Sequence, residues 1–328
     1  MVKVVRVQEP GPPEAMRIED LELGAPGEGE ALVRIEAIGL NRSEALFRSG
    51  GYVGNPSYPA LIGYEASGLV EATGPGVHGV HPGQRVSILP NFRMGDRGVY
   101  AEQAIVPATS LIAIPDWLDS THAAAVWMQY FTAMAVIEVG KAGPGDFVIV
   151  PAASSSVGLS AIQLANWAGA ETIAATRTSA KAETLKGLGA RHVIATQESD
   201  VPAEVKRITG GQGARIVFDP VGGPYVNTWA EAMAERGILF IYGSLSGEPT
   251  PFPHWPAAFK GLSIRGWVAS EIWGKPHRFE HYKQVILQGL STGHLQPVIS
   301  RTFRLDEIVE AHRYLESNQQ VGKIVVIP

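Results

Sequence analysis

The spacing of apolar residues changes character near residue 118. Before it, short runs alternate apolar and polar positions: VKVVRV, GEALVRIEAIGLN, ASGLVEATG, GQRVSIL and YAEQAIVP, broken by Gly and Pro. Period-two alternation bounded by turn residues predicts a β-rich, partly barrel-like domain. From 119 to 262, short apolar runs alternate with longer helical stretches. Strands are expected at 147–150, 172–175, 192–195, 215–218, 238–242 and 262–265. Helices are expected between them, at 157–169, 179–188, 203–209 and 224–234. Apolar strands separated by helices predict an α/β, doubly wound parallel sheet covered on both faces. Residues 263–328 carry helical patterns at 281–289 and 305–317 and a final strand at 323–327. This tail is expected to return to the first domain.

The 328 residues suffice for two cores. A composition of 45% hydrophobic and 18% charged residues is that of an ordinary globular protein. The net charge of -5 argues against general nucleic-acid binding, which needs a basic face. No apolar stretch reaches the roughly 18 residues that span a bilayer, so no membrane partner is expected. The start, MVKVVRVQEPG, alternates like a strand and lacks the apolar segment of a secretory signal, which leads to the expectation of a cytoplasmic protein. The absence of cysteine excludes disulfides, thiolate nucleophiles and Cys-built zinc sites. The nine histidines are scattered. The closest pair, His78 and His81, lies in a turn-like VHGVHPGQR without further ligands, so no metal is expected.

Candidate chemistry begins at PAASSSVGLSAIQLANWAGA, residues 151–170, where an apolar strand hands over to a helix. Ser154, Ser155 and Ser156 stand where glycines usually cradle phosphates. A helix N-terminus offers unsatisfied N–H groups and partial positive charge to an anion. Serine is small, caps helix starts and can donate to a phosphate oxygen. Ser154, Ser155, Ser156, Val157 and Gly158 are therefore candidates for a diphosphate, against the plainer reading of a capped turn. A serine-hydrolase elbow is the third reading. It is disfavoured because Ser154 replaces the glycine two places before Ser156, and no acid and histidine follow in order. About twenty residues on, an NAD site would present Asp or Glu to the ribose. Here Thr176 and Arg177 end the strand and Lys181 follows. That is a pocket for a 2′-phosphate, so NADPH is the expected cofactor; the alternative is a solvated basic helix start.

These residues resemble the medium-chain dehydrogenase/reductase superfamily, and within it the zinc-free quinone oxidoreductase-like branch. The resemblance spans essentially the whole chain. It rests on Gly39-Leu-Asn41-Arg-Ser43, Pro59-Ala-Leu-Ile-Gly63-Tyr-Glu65-Ala-Ser-Gly68, Met128-Gln-Tyr-Phe-Thr132-Ala133, Leu188-Gly-Ala190, Asp219-Pro-Val-Gly-Gly223, Tyr242-Gly243 and Gly322-Lys-Ile-Val-Val326. The resemblance implies a doubly wound Rossmann dinucleotide-binding domain over 119–262 and a β-rich GroES-like catalytic domain over 1–118, rejoined by 263–328. Zinc-dependent relatives carry Cys in the segment matching 39–43 and His after the glycine matching Gly63. This chain has Asn41 and Tyr64 there, and PNFRMGDRGVYAEQ replaces the structural zinc lobe. Catalysis without zinc is the expectation.

A metal-free site must stabilise developing negative charge with preorganised donors. Asn41, Tyr52 and Tyr64 are the candidates, and the resemblance implies that Asn41 and Tyr52 line the substrate pocket beside the nicotinamide. Tyr58, in the same RSGGYVGNPSYP segment, competes with Tyr52 for the role of proton donor. The resemblance also assigns cofactor contacts to Thr132 and Lys323. Asp219, Val221, Gly243 and Ser244 follow the ends of two expected strands, where such sheets bind ligands. Packing between the domains is the alternative for Asn41, Tyr52 and Tyr64, a core threonine for Thr132, and a charge at a strand edge for Lys323. Trp127, Tyr130, Trp267 and Trp273 are either an aromatic wall for a flat substrate or core or interface residues. The expected function is NADPH-dependent reduction of quinones or α,β-unsaturated carbonyls. A 2-enoyl thioester reductase, with Arg42 or Arg48 at the pocket mouth, and a non-catalytic NADPH-binding sensor are the alternatives. The resemblance further implies a homodimer through an edge strand near 237–244 or 262–268.

Overall fold

A computed structural model describes residues 1–52 and 56–328. The chain divides into two compact units, Met1–Met128 with Pro297–Pro328, and Gln129–Gln296.

In the second unit six strands form one parallel sheet. They are, in chain order, Phe147–Pro151, Glu171–Thr176, His192–Ala195, Ala214–Asp219, Met233–Ile241 and Ser263–Gly266. Numbered one to six, they lie side by side as 3-2-1-4-5-6, the doubly wound arrangement. Val148, Ile149 and Val150 are all fully buried, because helices cover both faces. The strand expected to begin at 238 begins at Met233, directly after the helix Val226–Ala232. Its pairing with Ala214–Asp219 shifts register between Ala214 and Ile216, and Arg236 takes a left-handed φ of 56° in the extra stretch. The helix Pro276–Ser291 also belongs to this unit, so the chain rejoins the first unit only at Pro297.

The first unit is built around the strand Glu30–Gly39. It pairs antiparallel with Glu65–Thr73, with Gln103–Pro107 and with Lys323–Ile327. The returning strand Ile299–Arg304 lies parallel to Lys323–Ile327 on its other side. Lys323 therefore sits in an interior strand, not at a sheet edge. The helix Ile308–Ser317 buries Ile308, Ala311, His312 and Leu315, the i, i+3, i+4, i+7 face of an amphipathic helix. That spacing puts an imidazole into the core. The helix Arg42–Arg48 buries Glu44 and Arg48 beside Ala45 and Phe47, an inversion of the usual polar-out rule that needs internal partners. Among the described residues no helix is long and apolar enough to cross a membrane.

Candidate functional site

Each unit holds a cluster of the expected residues. In the first, Asn41 caps the helix Arg42–Arg48, and Glu44 reaches back to accept the Asn41 backbone N–H, closing a capping box. The same carboxylate accepts from Asn41 Nδ2 at 3.2 Å, from the Tyr64 backbone N–H at 3.1 Å and from the Tyr100 hydroxyl at 3.2 Å. Four donors on one fully buried carboxylate fill its acceptor capacity. Burial pushes the Glu44 carboxyl up to about 7, while Lys323 and the donors from Asn41 and Tyr64 pull it down. Lys323 Nζ donates to Asn41 Oδ1 at 2.7 Å and to Glu65 Oε2 at 2.6 Å, both ends of this ion pair being fully buried. The other Glu65 oxygen accepts the Met128 N–H at 2.9 Å. A buried ion pair persists when its remaining lone pairs are satisfied in this way.

The Asn41 amide is consequently committed. Lys323 occupies its oxygen, and its nitrogen donates to Gly39 O at 3.1 Å and to Glu44. Both of its N–H bonds end inside the unit. Beyond Glu44 the network continues. Tyr100 Oη lies 3.2 Å from His312 Nε2, and Arg48 Nη1 lies 3.0 Å from His312 Nδ1. Arg48 also donates to Gly11 O at 3.0 Å and to Glu316 at 2.8 Å. Burial, then Arg48 and Arg42, pushes the His312 imidazole down to about 3. Arg42 donates to Leu315 O at 3.0 Å and to Asn318. Both arginines expected at a pocket mouth are thus spent on internal partners.

The two candidate tyrosines meet. The rings of Tyr52 and Tyr64 pack edge to face with centroids 6.5 Å apart, and Phe92 lies against Tyr64 at 5.8 Å. Burial raises the pKa of both phenols. The two phenols are also hydrogen-bonding partners of one another. Residues 53–55, between Tyr52 and Tyr58, lie outside the described residues.

In the second unit the strand Phe147–Pro151 delivers the chain into the loop, and the helix Ser156–Trp167 leaves it. Ser155 is the N-cap: its Oγ accepts the Gly158 N–H at 3.0 Å, and its carbonyl accepts the Leu159 N–H at 2.9 Å. The N–H groups of Ser156 and Val157 belong to the first turn, where a helix supplies no partners of its own. A Cβ on Gly158 would fall 2.8 Å from the carbonyl oxygens of Ala152 and Ala153, so only glycine lets the helix start so close to the loop. Ala152 itself has a left-handed φ of 48°. Lys181 Nζ donates to Ser154 Oγ at 3.0 Å, tying the basic turn after the second strand to the serine loop. Burial, then the Arg177 charge, lowers the Lys181 pKa. Arg177 is exposed, and Thr176 ends the strand with its hydroxyl donating to Thr178 O.

Asp219 is fully buried at the end of its strand and caps the following turn, accepting the N–H of Val221 at 2.7 Å and of Gly222 at 3.1 Å. Burial lifts it to about 6 against those two bonds. The Val221 N–H is therefore engaged, and its carbonyl accepts from Ser246 at 3.0 Å; the expected backbone contact from Val221 has no free donor. A Cβ on Gly243 would sit 2.6 Å from Pro220 O, and Ser244 beside it is exposed. The Thr132 carbonyl accepts from Trp267 Nε1 at 2.8 Å. Trp127, Tyr130 and Trp267 are core residues, Tyr130 bonding Gln163 at 2.6 Å, so they form no aromatic wall. Trp273 packs against Phe131. Among the described residues no group of three His, Cys, Asp or Glu side chains converges on a metal site.

Sequence reasoning missed Glu44, Tyr100 and His312. The one available signal was S-E at the second and third positions after Asn41, the acid of a capping box.

Two family models match the chain, "Alcohol dehydrogenase GroES-like domain" over residues 27–116 and "Zinc-binding dehydrogenase" over residues 156–287. A 2-haloacrylate reductase of Burkholderia sp is 30% identical, covering 100% of this chain and 99% of that protein. A quinone oxidoreductase of Pseudomonas aeruginosa is 28% identical over the full length of both. The crystal structure of Escherichia coli quinone oxidoreductase complexed with NADPH superposes with a TM-score of 0.92 at 26% identity, covering 99% of this chain and 100% of that one. Full-length likeness on both sides, on top of the 3-2-1-4-5-6 sheet and the GroES-like match, identifies the chain as a member of the medium-chain dehydrogenase/reductase superfamily, in its quinone oxidoreductase-like branch.

Proposed function

We propose that the protein is an NADPH-dependent, zinc-independent reductase that passes hydride to quinones or α,β-unsaturated carbonyl compounds. The second unit serves as the dinucleotide-binding domain and the first as the catalytic domain. The observation that carries this reading is the Lys181–Ser154 bond, which draws a cation onto the loop at the N-terminus of the helix Ser156–Trp167. An ammonium and a helix N-terminus together suit two anionic groups, a diphosphate and a 2′-phosphate. The exposed Arg177 adds the second cation. The E. coli relative complexed with NADPH supports the same choice. Gly243, Ser244 and Thr132 supply the further cofactor contacts of the reading.

Bound NADPH supplies the hydride. The chain's own work is to hold the acceptor and meet its developing charge. Tyr52, packed edge to face on Tyr64, offers its phenol hydrogen to the acceptor oxygen as that oxygen becomes negative. Asn41, locked at both ends, contributes a fixed dipole. Zinc does not suit the donors present: Asn41 and Tyr64 offer an amide and a phenol in place of thiolate and imidazole. The thioester alternative loses its support, since Arg42 and Arg48 are bonded internally.

The test is loss of nicotinamide absorbance on mixing with NADPH and a panel of quinones, enones and crotonyl thioesters. Turnover on the first two is expected. Binding without turnover on any acceptor would favour the sensor, and turnover confined to thioesters the acyl substrate. In a titration followed by nicotinamide fluorescence, Arg177→Ala should weaken NADPH by about 1.5–3 kcal/mol and leave NADH nearly unchanged. An equal loss for both cofactors would remove the 2′-phosphate from Arg177.

A further inference from the structure

We infer that Glu44 is a positioning residue of the reacting site: a one-way hydrogen-bond chain from Arg48 through His312 and Tyr100 holds its carboxylate, and the carboxylate holds Asn41 and Tyr64. The inference rests on the reading above, in which Asn41 and Tyr64 belong to the catalytic machinery.

The direction of the chain follows from what each group can do. A guanidinium has donors only, so at 3.0 Å from Arg48 the His312 Nδ1 must accept. A neutral imidazole that accepts at Nδ1 carries its hydrogen on Nε2. That hydrogen points at the Tyr100 oxygen, 3.2 Å away. Tyr100 has one hydrogen left, and its other polar neighbour is Glu44 Oε2 at 3.2 Å. Every link is buried, and Arg48 is anchored at its outer end by Glu316 and Gly11 O. The series therefore has one low-energy arrangement of hydrogens, and it ends by donating to Glu44. On its other side Glu44 meets two backbone N–H groups and the Asn41 amide, all donors. A carboxylate satisfies all of them; a carboxylic acid has one acceptor position fewer and must release one.

The charged and titratable groups around Glu44 are Lys323 on the returning strand, the phenols of Tyr52, Tyr64 and Tyr100, and Arg48 and His312 behind Tyr100. Glu65 lies beyond Lys323, which it neutralises. Burial raises the Glu44 carboxyl towards neutrality. Gain of a proton below that point breaks the clamp, so kcat falls as the solution is made acid.

Two variants test this. Glu44→Gln replaces one acceptor oxygen with a donor and should lower kcat on the order of 10–100-fold with KM for NADPH little changed, and it should flatten the acidic limb of kcat between about pH 5.5 and 8.5. Tyr100→Phe leaves Glu44 in place and removes one donor to its anion, so the limb should move to higher pH. A limb that is identical in the wild type and both variants overturns the inference. The Asn41 side-chain amide resonances of the free, 15N-labelled protein give a readout that needs no turnover. They should titrate in the wild type with the same midpoint as the limb and stay flat in Glu44→Gln; resonances insensitive to pH in the wild type overturn the inference. Should no acceptor be turned over by the wild type, the preceding reading fails, and the amide titration alone decides for or against the clamp.

Discussion

Tyr52 and Tyr64 are chemically the same residue with different duties. Both lie partly buried against the core of the first unit, and burial disfavours ionisation of each. In the proposed function Tyr52 has the proton to offer and Tyr64 the place beside it. Tyr52→Phe should lower kcat by about 100-fold, the worth of a positioned general acid, with NADPH affinity unchanged when titrated by fluorescence. An unaffected kcat would transfer the role to Tyr58, Tyr64 or solvent. Gly63 makes this corner possible. Its φ of 104° is a left-handed value, and a Cβ there would sit 2.3 Å from the Tyr100 ring. The residue types at this corner were legible in the chain, since Asn, Tyr and Tyr are the donors a metal-free site needs. The commitment of Asn41 to Glu44 and Lys323 was not, because it joins positions 41 and 323 through contacts that no local pattern encodes.

Among the elements, the strands were easiest to foresee. Apolar runs such as Phe147–Pro151 are buried on both faces and punctuated by turns, so sequence and structure agree there to within a residue or two, whereas Met233–Ile241 begins well before the expected 238. The helix Arg42–Arg48 was invisible for the opposite reason. It buries a glutamate and an arginine, and hydrophobic periodicity cannot announce a helix whose inward face is charged. The serine loop lies between these cases. Its strand–turn–helix outline was readable, but the division of labour was not. Ser155 caps the helix, Ser154 holds Lys181, and Ser156 opens the first turn. Ala152 bears a local cost, since a Cβ in the left-handed region is disfavoured by roughly 1–2 kcal/mol. Ala152→Gly should therefore stabilise the protein by up to about 1 kcal/mol, the part that survives the extra freedom of glycine in the unfolded chain. Urea unfolding at constant m would measure it; a loss of stability would mean that the Ala152 methyl packs better than its backbone suffers.

For the molecule as a whole, the homodimer remains a proposal with a sharper location. Of the two segments expected to offer an edge, Met233–Ile241 is paired on both sides and is ruled out, whereas Ser263–Gly266 is the outermost strand. Just before it, the helix His254–Lys260 exposes Trp255 and Phe259, 66% and 81% accessible and stacked 5.7 Å apart, with Phe252 close by in sequence. Large exposed aromatics in the helix that precedes an outermost strand mark an association surface. We expect light scattering to give twice the monomer mass, and Trp255→Ser with Phe259→Ser to shift it towards one chain; an unaltered mass would move the interface elsewhere. The two-unit plan was readable from the change of texture near residue 118. The point of return was not, since the amphipathic helix Pro276–Ser291 suits either unit by pattern alone. That late return has a consequence for the growing polypeptide. Glu65 leaves the ribosome long before its ammonium counterpart exists, and the whole of the other unit is synthesised in the interval. The half of the protein begun first is thus the half finished last, and its nascent core must wait, with a carboxylate still needing water, for the final strand to be translated.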